Sequence, residues 1–185
     1  MLTKDLHIER LSELNRSDFY KVLGMGEFGD CCYCVFWWQT SHEGWGERTS
    51  DQNRQFREGL FTKYVYDGFL LYINDVPQGW CQCGPRDQWG SLIKKYALAP
   101  EQNVWAITCF LLNPEIAGQG YAHKFLHELL ADLKKQGIGK VQAFPHVGKN
   151  LSSEELWPGP ISIYEKAGFS TLKADDQRPI LEILL

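Results

Sequence analysis

Apolar positions along this chain follow two periods, and the switches between them mark its elements. Val104–Leu112 (V-W-A-I-T-C-F-L-L) is apolar apart from one Thr and reads as a buried strand. Tyr121, Ala122, Phe125, Leu126, Leu129, Leu130 and Leu133 then recur at helical spacing. Between the two lies Asn113–Gly120, where Pro114 ends the strand and Gly118 and Gly120 supply the turn. Lys140–Pro145 predicts another strand, and Ile161–Phe169 a short helix stopped by Gly168. Two terminal strand candidates follow.

The first hundred residues are patterned less regularly. Leu11–Leu23 predicts a helix capped by Asn15 or Ser17. Cys31–Trp38 predicts a strand, and His42–Ser50 is a polar, Gly-containing loop. A helix is expected from Ser50 or Asp51 to about Tyr66, with Gly59 as its weak point. Phe69–Ile73 and Gln78–Gly84 read as a hairpin turning at Asn74-Asp75. Asp87–Tyr96 predicts a short amphipathic helix carrying Trp89, Leu92, Ile93 and Tyr96. The order α, β, α, β, β, α, β, α, β, α, β, β, with no repeat or linker, predicts one α/β (α+β) domain over residues 1–185.

Composition changes this picture in a few places. A 44% hydrophobic content supplies an ordinary core. The 14% aromatic content, with seven Trp, points to an aromatic core or an aromatic-lined pocket. A formal net charge of -4 without a Lys/Arg cluster argues against nucleic acid as a partner. No apolar run nears the roughly 18–20 residues that cross a bilayer, so no membrane partner is expected. The N-terminus M-L-T-K-D-L-H-I-E-R has no apolar signal core, and a cytoplasmic location is expected. The six Cys are then expected as thiols. On strands, Cys32 and Cys34 would share one face, as would Cys81 and Cys83, and four converging thiolates could hold zinc. Cys-x-Cys strands lack the Cys-x-x-Cys knuckles of structural zinc sites, and buried Cys is a common small hydrophobe. No metal is expected.

The segment with most chemistry is the strand, glycine turn and helix start at Val104–Ala122. The first N–H groups of a helix have no internal partner and carry the positive end of its dipole, which makes a phosphate cradle. A tight connection that binds nothing has the same pattern.

Two motifs separate these readings. Ala117-Gly118-Gln119-Gly120-Tyr121-Ala122 and the later Tyr164-Glu165-Lys166-Ala167-Gly168-Phe169 together resemble the GNAT acetyltransferase superfamily, closely from Val104 to Leu185. Cys32-Tyr33-Cys34-Val35-Phe36-Trp37, Gly79-Trp80 and Pro85-Arg86 resemble one subgroup and extend the likeness to most of the chain. The resemblance implies a mixed, mostly antiparallel sheet with helices on both faces, splayed where acetyl-CoA binds. It assigns residues 1–100 to the acceptor side and residues 101–185 to acetyl-CoA. The implied activity is direct acetyl transfer to a primary amine of a small molecule or a protein, with a homodimer left open.

By this resemblance, Ala117, Gly118, Gln119, Gly120, Tyr121 and Ala122 face the pyrophosphate. Phe110 and Leu112 offer backbone groups to the pantetheine. Ala117 stands where the family has Gln or Arg, which implies weakened cofactor binding. Tyr164 is the implied acid, because a phenol at about pH 10 is nearly balanced against a thiolate at about 8–9. Some relatives carry Phe there, and a Tyr packing its ring is the alternative. His146 is the candidate base, or a solvated loop residue. Glu115, beside the phosphate loop, is expected on the surface. Cys34 and Trp37, with Trp38, would line the acceptor pocket or simply pack the core. Arg86 would hold an acceptor carboxylate or pair with Asp87. Trp157 replaces a common Asn and would form an apolar wall. A non-catalytic acyl-CoA-binding domain and a cysteine-based metal or redox protein are the competing readings.

Overall fold

A computed structural model describes residues 5–26, 29–152 and 155–185. Met1–Lys4, the start of the N-terminal stretch expected to have no apolar signal core, lie outside the described residues. The strands are β1 (Leu6–Arg10), β2 (Gly68–Ile73), β3 (Val76–Pro85), β4 (Val104–Leu112), β5 (Lys140–Ala143), β6 (Ser170–Lys173) and β7 (Ile180–Leu184). The helices are α1 (Arg16–Leu23), α2 (Gly29–Cys32), α3 (Ser50–Thr62), α4 (Gly90–Tyr96), α5 (Tyr121–Lys135) and α6 (Ile161–Lys166). One sheet runs β1-β2-β3-β4-β5-β7-β6, and only β4 and β5 pair in parallel. The mixed, mostly antiparallel architecture expected from the sequence is therefore present.

Alternation along the strands sends each residue set to its own layer. Phe69, Leu71, Cys81, Cys83 and Ile107 face α5, whose Phe125, Leu126, Leu129 and Leu133 cover them. Leu70, Tyr72, Trp80 and Cys109 face the other way, against Phe19 and Val22 of α1 and Leu60 and Phe61 of α3. The side chains buried on α5 are the periodic ones read from the sequence, except half-buried Ala122.

Two elements differ from expectation. β1 was not foreseen: it is a short edge strand with only Leu6 and Ile8 as an apolar face, too brief a pattern to stand out. Cys31–Trp38 is not a strand. It holds the end of α2, a left-handed corner at Tyr33 (φ 47) and Cys34 (φ 50), and a 3-10 turn over Phe36–Trp38. Side chains satisfy this backbone in place of a neighbouring strand. Arg57 donates through Nε to the Tyr33 carbonyl at 2.9 Å and through Nη2 to that of Cys34 at 2.7 Å. Gln82 Nε2 also donates to the Cys34 carbonyl at 2.7 Å, and Asn53 Nδ2 to that of Cys31 at 2.8 Å. α3 ends at Thr62, short of Tyr66, and Tyr64 turns left-handed at φ 59. Its start is fixed by a Thr49–Gln52 capping box.

The buried Arg57 is neutralised by Asp67, at 2.7 Å, with side chains 0% and 1% exposed. Trp38 Nε1 and Gln82 Nε2 donate to the second Asp67 oxygen at 2.7 and 2.6 Å. This network holds the Tyr33–Trp38 segment against β3 and so shapes the wall of the site.

The sheet opens at one point. β4 pairs with β5 only over Val104–Ile107 against Lys140–Ala143. On its other side, β4 bulges against β3 between Gln82 and Cys83, so Thr108 is the extra residue. Bulge and parting coincide, and Thr108–Leu112 run on without β5 beside them.

Candidate active site

The space at this parting is a cavity of about 780 Å³. Phe110, Leu111 and Leu112 of β4 form one side, with Leu156 and Trp157 across from the β5 end. Leu23, Cys34, Phe36, Trp45 and Cys109 close the apolar floor, while Arg48, Asn53, Lys95, His146 and Arg178 supply polarity. Cys31 and Cys32 also reach it. Among the described lining residues there is no Asp or Glu.

Beyond Leu112 the chain continues into the predicted phosphate turn. Pro114 lies on the cavity wall, so turn and cavity are continuous. Asn113 anchors the turn: its Oδ1 accepts from the Glu115 N–H at 3.0 Å, and its Nδ2 donates to Gln78 Oε1 at 2.8 Å. A 3-10 turn spans Pro114–Ile116, and α5 begins after Gly120. Gly118 and Gly120 take φ of 72° and 81°, and a Cβ at either would meet nothing within 4 Å. Both glycines are needed for left-handed backbone, and the start of α5 is left open to approach. Glu115 is exposed, as expected, and the Gln119 side chain folds back onto its carbonyl at 3.0 Å.

The structure brings together Phe110, Leu112, Cys34, His146 and Trp157 around one cavity, while Ala117–Ala122 follow Pro114 in the chain and are not among its lining residues. His146 stacks edge-on against Trp157, with ring centroids 5.8 Å apart. Burial, and then the positive charges of Arg178 and Lys95, push its imidazole below the ordinary histidine value. It is thus neutral near pH 7 and able to accept a proton. Cys34 and Cys109 place their sulfurs 3.5 Å apart, and Trp80 Nε1 donates to Cys34 Sγ at 3.2 Å.

Four further residues expected at the site do not line the cavity: Trp38, whose Nε1 donates to Asp67 at 2.7 Å, and three others. Trp37 is buried behind the wall, packed on Phe36, His42, Tyr96 and Trp157. Arg86 is 2% exposed and off the cavity: it donates to Asp87 at 2.8 Å, to Gln142 Oε1 at 3.2 Å and to the Ala99 carbonyl at 2.7 Å. It ties the end of β3 to β5, and only the expected pairing with Asp87 is seen. Tyr164 is wholly buried behind the Trp157–Pro160 segment, its hydroxyl donating to the Pro158 carbonyl. Burial raises its phenol well above its usual value, so it keeps its proton. The Phe110 N–H donates to the Trp157 carbonyl at 2.8 Å, so this same segment also covers the β4 edge.

The thiol cluster weighed for zinc is not assembled. Cys81 and Cys83 pack in the α5 layer, whereas Cys34 lies in the opposite one. No group of metal-ligating side chains and no disulfide occurs among the described residues. Arg48, Asn53, Lys95 and Arg178 were not anticipated, because each is an isolated polar residue in its own segment with no local motif.

Residues 30–169 match the model of the Acetyltransferase (GNAT) family. The chain belongs to the GNAT acetyltransferase family. Its fold also matches solved GNAT structures. PaiA N-acetyltransferase from Thermoplasma acidophilum, in complex with coenzyme A, is similar at 16% identity and TM-score 0.56, over 98% of this chain and 99% of that one. An aminoglycoside acetyltransferase AAC(6')-Ib, also with coenzyme A, gives 20% identity and TM-score 0.60 over 97% and 95%. The ribosomal-protein-S18-alanine N-acetyltransferase from Escherichia coli gives 13% and 0.54 over 97% and 94%. No curated protein sequence matches the chain. Acetyl transfer is the activity this family carries. No helix of the described residues is long and apolar enough to cross a membrane.

Proposed function

We propose that this protein is an N-acetyltransferase that moves an acetyl group from acetyl-CoA directly to a primary amine. The reading rests on one observation: β4 runs past the end of β5 along the cavity, over Cys109–Leu112, and the chain leads on through Pro114 into the Gly118–Ala122 turn. In this reading the turn amides hold the pyrophosphate. Phe110 and Leu112 present backbone groups to the pantetheine, and residues before about position 100, joined by Trp157 and Arg178, build the acceptor side. His146, neutral and on the cavity wall, takes the proton that the attacking amine loses. Tyr164 returns a proton to the departing thiolate.

The closed contacts favour a second reading, a non-catalytic acyl-CoA-binding domain. The Phe110 N–H and the Tyr164 O–H are both engaged by carbonyls of the Trp157–Pro158 segment. Turnover requires that segment to yield. Release of free thiol from acetyl-CoA across a panel of amines tests the proposal. Tyr164→Phe should lower kcat about 10²–10⁴-fold with acetyl-CoA affinity nearly unchanged. Coenzyme A binding without turnover of any amine would establish the binding domain instead.

A further inference from the structure

Cations in this protein are paired with acids where they are deeply buried. Arg57 has Asp67, and Arg86 has Asp87. The cavity is different. Arg48, Lys95, Arg178 and His146 line it, no described carboxylate does, and none of the first three makes an ion pair among the described residues. Acids are not scarce, since the chain has 23 Asp and Glu against 19 Lys and Arg.

Lys95, Arg178 and His146 also feel one another. Burial and Arg178 hold the Lys95 ammonium below its ordinary value, and His146 is pushed the same way by burial, Arg178 and Lys95. Two acids, Asp175 and Glu155, act on Arg178 from nearby, and Glu155 acts on His146 too. Neither makes an ion pair with Arg178 or Lys95 among the described residues. Asp175 Oδ1 accepts the N–H groups of Gln177 and Arg178 at 2.9 and 2.7 Å, and Glu155 Oε2 accepts from Ser152 at 3.0 and 3.1 Å. Like charges gathered on an apolar wall raise the energy of the empty site, and an anionic ligand lowers it. The wall beside them is aromatic. Phe36, Trp45 and Trp157 stand half-buried, Phe36 meeting the other two edge-on at 4.9 and 6.0 Å between centroids.

We propose that the acceptor is a small primary amine carrying an anionic group on an aromatic or apolar skeleton, in the manner of an aromatic amino acid. Arg178 and Lys95 hold the anion, and Phe36, Trp45 and Trp157 enclose the skeleton. The positive wall also disfavours a protonated amine, which helps deliver the neutral nucleophile to His146, and it repels polycations. This inference rests on the acetyltransferase reading for the role of the ligand, and its test is read by binding as well as by turnover.

Calorimetry on the coenzyme A-loaded protein should compare 3-phenylpropionate and 2-phenylethyl phosphate with the neutral 3-phenylpropionamide. At least one anion should bind ten times or more tighter than the amide, and the tighter one names the head group. Arg178→Gln and Lys95→Gln should each weaken that anion several-fold and leave coenzyme A affinity unchanged. Equal binding of anion and amide, or no binding of either anion, would overturn the proposal. Loss of coenzyme A affinity in the two variants would also overturn it, by assigning the cations to coenzyme A phosphates. In the thiol-release assay phenylalanine should exceed phenethylamine in kcat/KM, and a spermidine-preferring enzyme would contradict the anionic acceptor while leaving acetyl transfer intact.

Discussion

Around Gly118–Ala122 the groups that would meet a ligand are backbone amides of one contiguous turn. Across the cavity they are side chains from segments scattered between Leu23 and Arg178. The first kind of site needs only a strand end, two glycines and a helix start, all within a few residues. The second needs the whole fold, because the Tyr33–Trp38 segment holds its shape through Arg57 and Gln82 rather than through a ladder of its own. One side is thus tolerant of sequence change outside a short motif, and the other is sensitive to residues far from it.

The largest effect expected on the acceptor side is chemical. His146→Asn should lower kcat about 10²–10⁴-fold, since it removes the base while keeping a similar volume. In the parent protein the acid limb of kcat should fall below the ordinary histidine value, because the imidazole is pushed down by burial and by Arg178. Arg178→Gln removes a positive neighbour, favours the imidazolium, and should move that limb to higher pH. Steady-state profiles with a turned-over amine decide the matter. A variant as fast as the parent, with the same limb, would make His146 a wall residue only.

Stability should show the next largest effect. Arg57→Met leaves Asp67 charged and buried and frees the carbonyls of Tyr33 and Cys34, so it should cost about 3–5 kcal/mol in urea unfolding. Replacing Asp67 by Leu in the same chain should recover part of that loss, because the pair then gives way to apolar contact. A loss under about 1 kcal/mol for the single change would mean that the corner stands without its guanidinium clamp.

These two expectations show what the sequence could and could not convey. The β4–α5 unit, the β2–β3 hairpin and the late helix α6 were legible, because each declares itself in local periodicity and turn residues. The strand, turn and helix proposed to hold coenzyme A were legible as elements for the same reason. Cys31–Trp38 misled: its run of Cys, Val and aromatics has high strand propensity, yet tertiary hydrogen bonds from Arg57, Asn53 and Gln82 bend it into a corner. Arg57 itself sits in an ordinary-looking helical stretch, Gln55-Phe56-Arg57-Glu58, and nothing local marks it as buried. Arg86 had a turn and a charge to recommend it, but its partners, Gln142 and the Ala99 carbonyl, lie in other segments. The cations at Arg48, Lys95 and Arg178 become a feature only once folding gathers them.

On the cofactor side a smaller change should be felt, and only by the cofactor. Gly120→Val places a β-branched residue at φ 81°, just where the start of α5 is open. Coenzyme A binding by calorimetry should weaken at least tenfold, about 1.4 kcal/mol, with the amine-side anion still bound. Unchanged affinity in a folded variant would move the pyrophosphate elsewhere. Loss of both ligands together would show that the two sides are less separate than their construction indicates.

The smallest expected effect is none at all, and it concerns the thiols shared by both sides. Cys81 and Cys83 lie under α5, while Cys34 and Cys109 face the cavity from the other layer. Tetrahedral zinc needs its ligands about 2.0–2.3 Å from one point, and cysteines separated by a sheet do not meet that demand. Burial raises Cys81 and Cys83 far above the ordinary thiol range, so neither offers the thiolate a metal requires. Elemental analysis of purified protein should find no stoichiometric zinc, and a strong chelator should leave the melting temperature where it was. A structural metal would have supplied folding energy, and its removal would unfold the chain. Unfolding by chelator, together with bound zinc, would mean that the cysteines join the two sides of the sheet after all, and the contrast between a local and a distributed site would fail at that point.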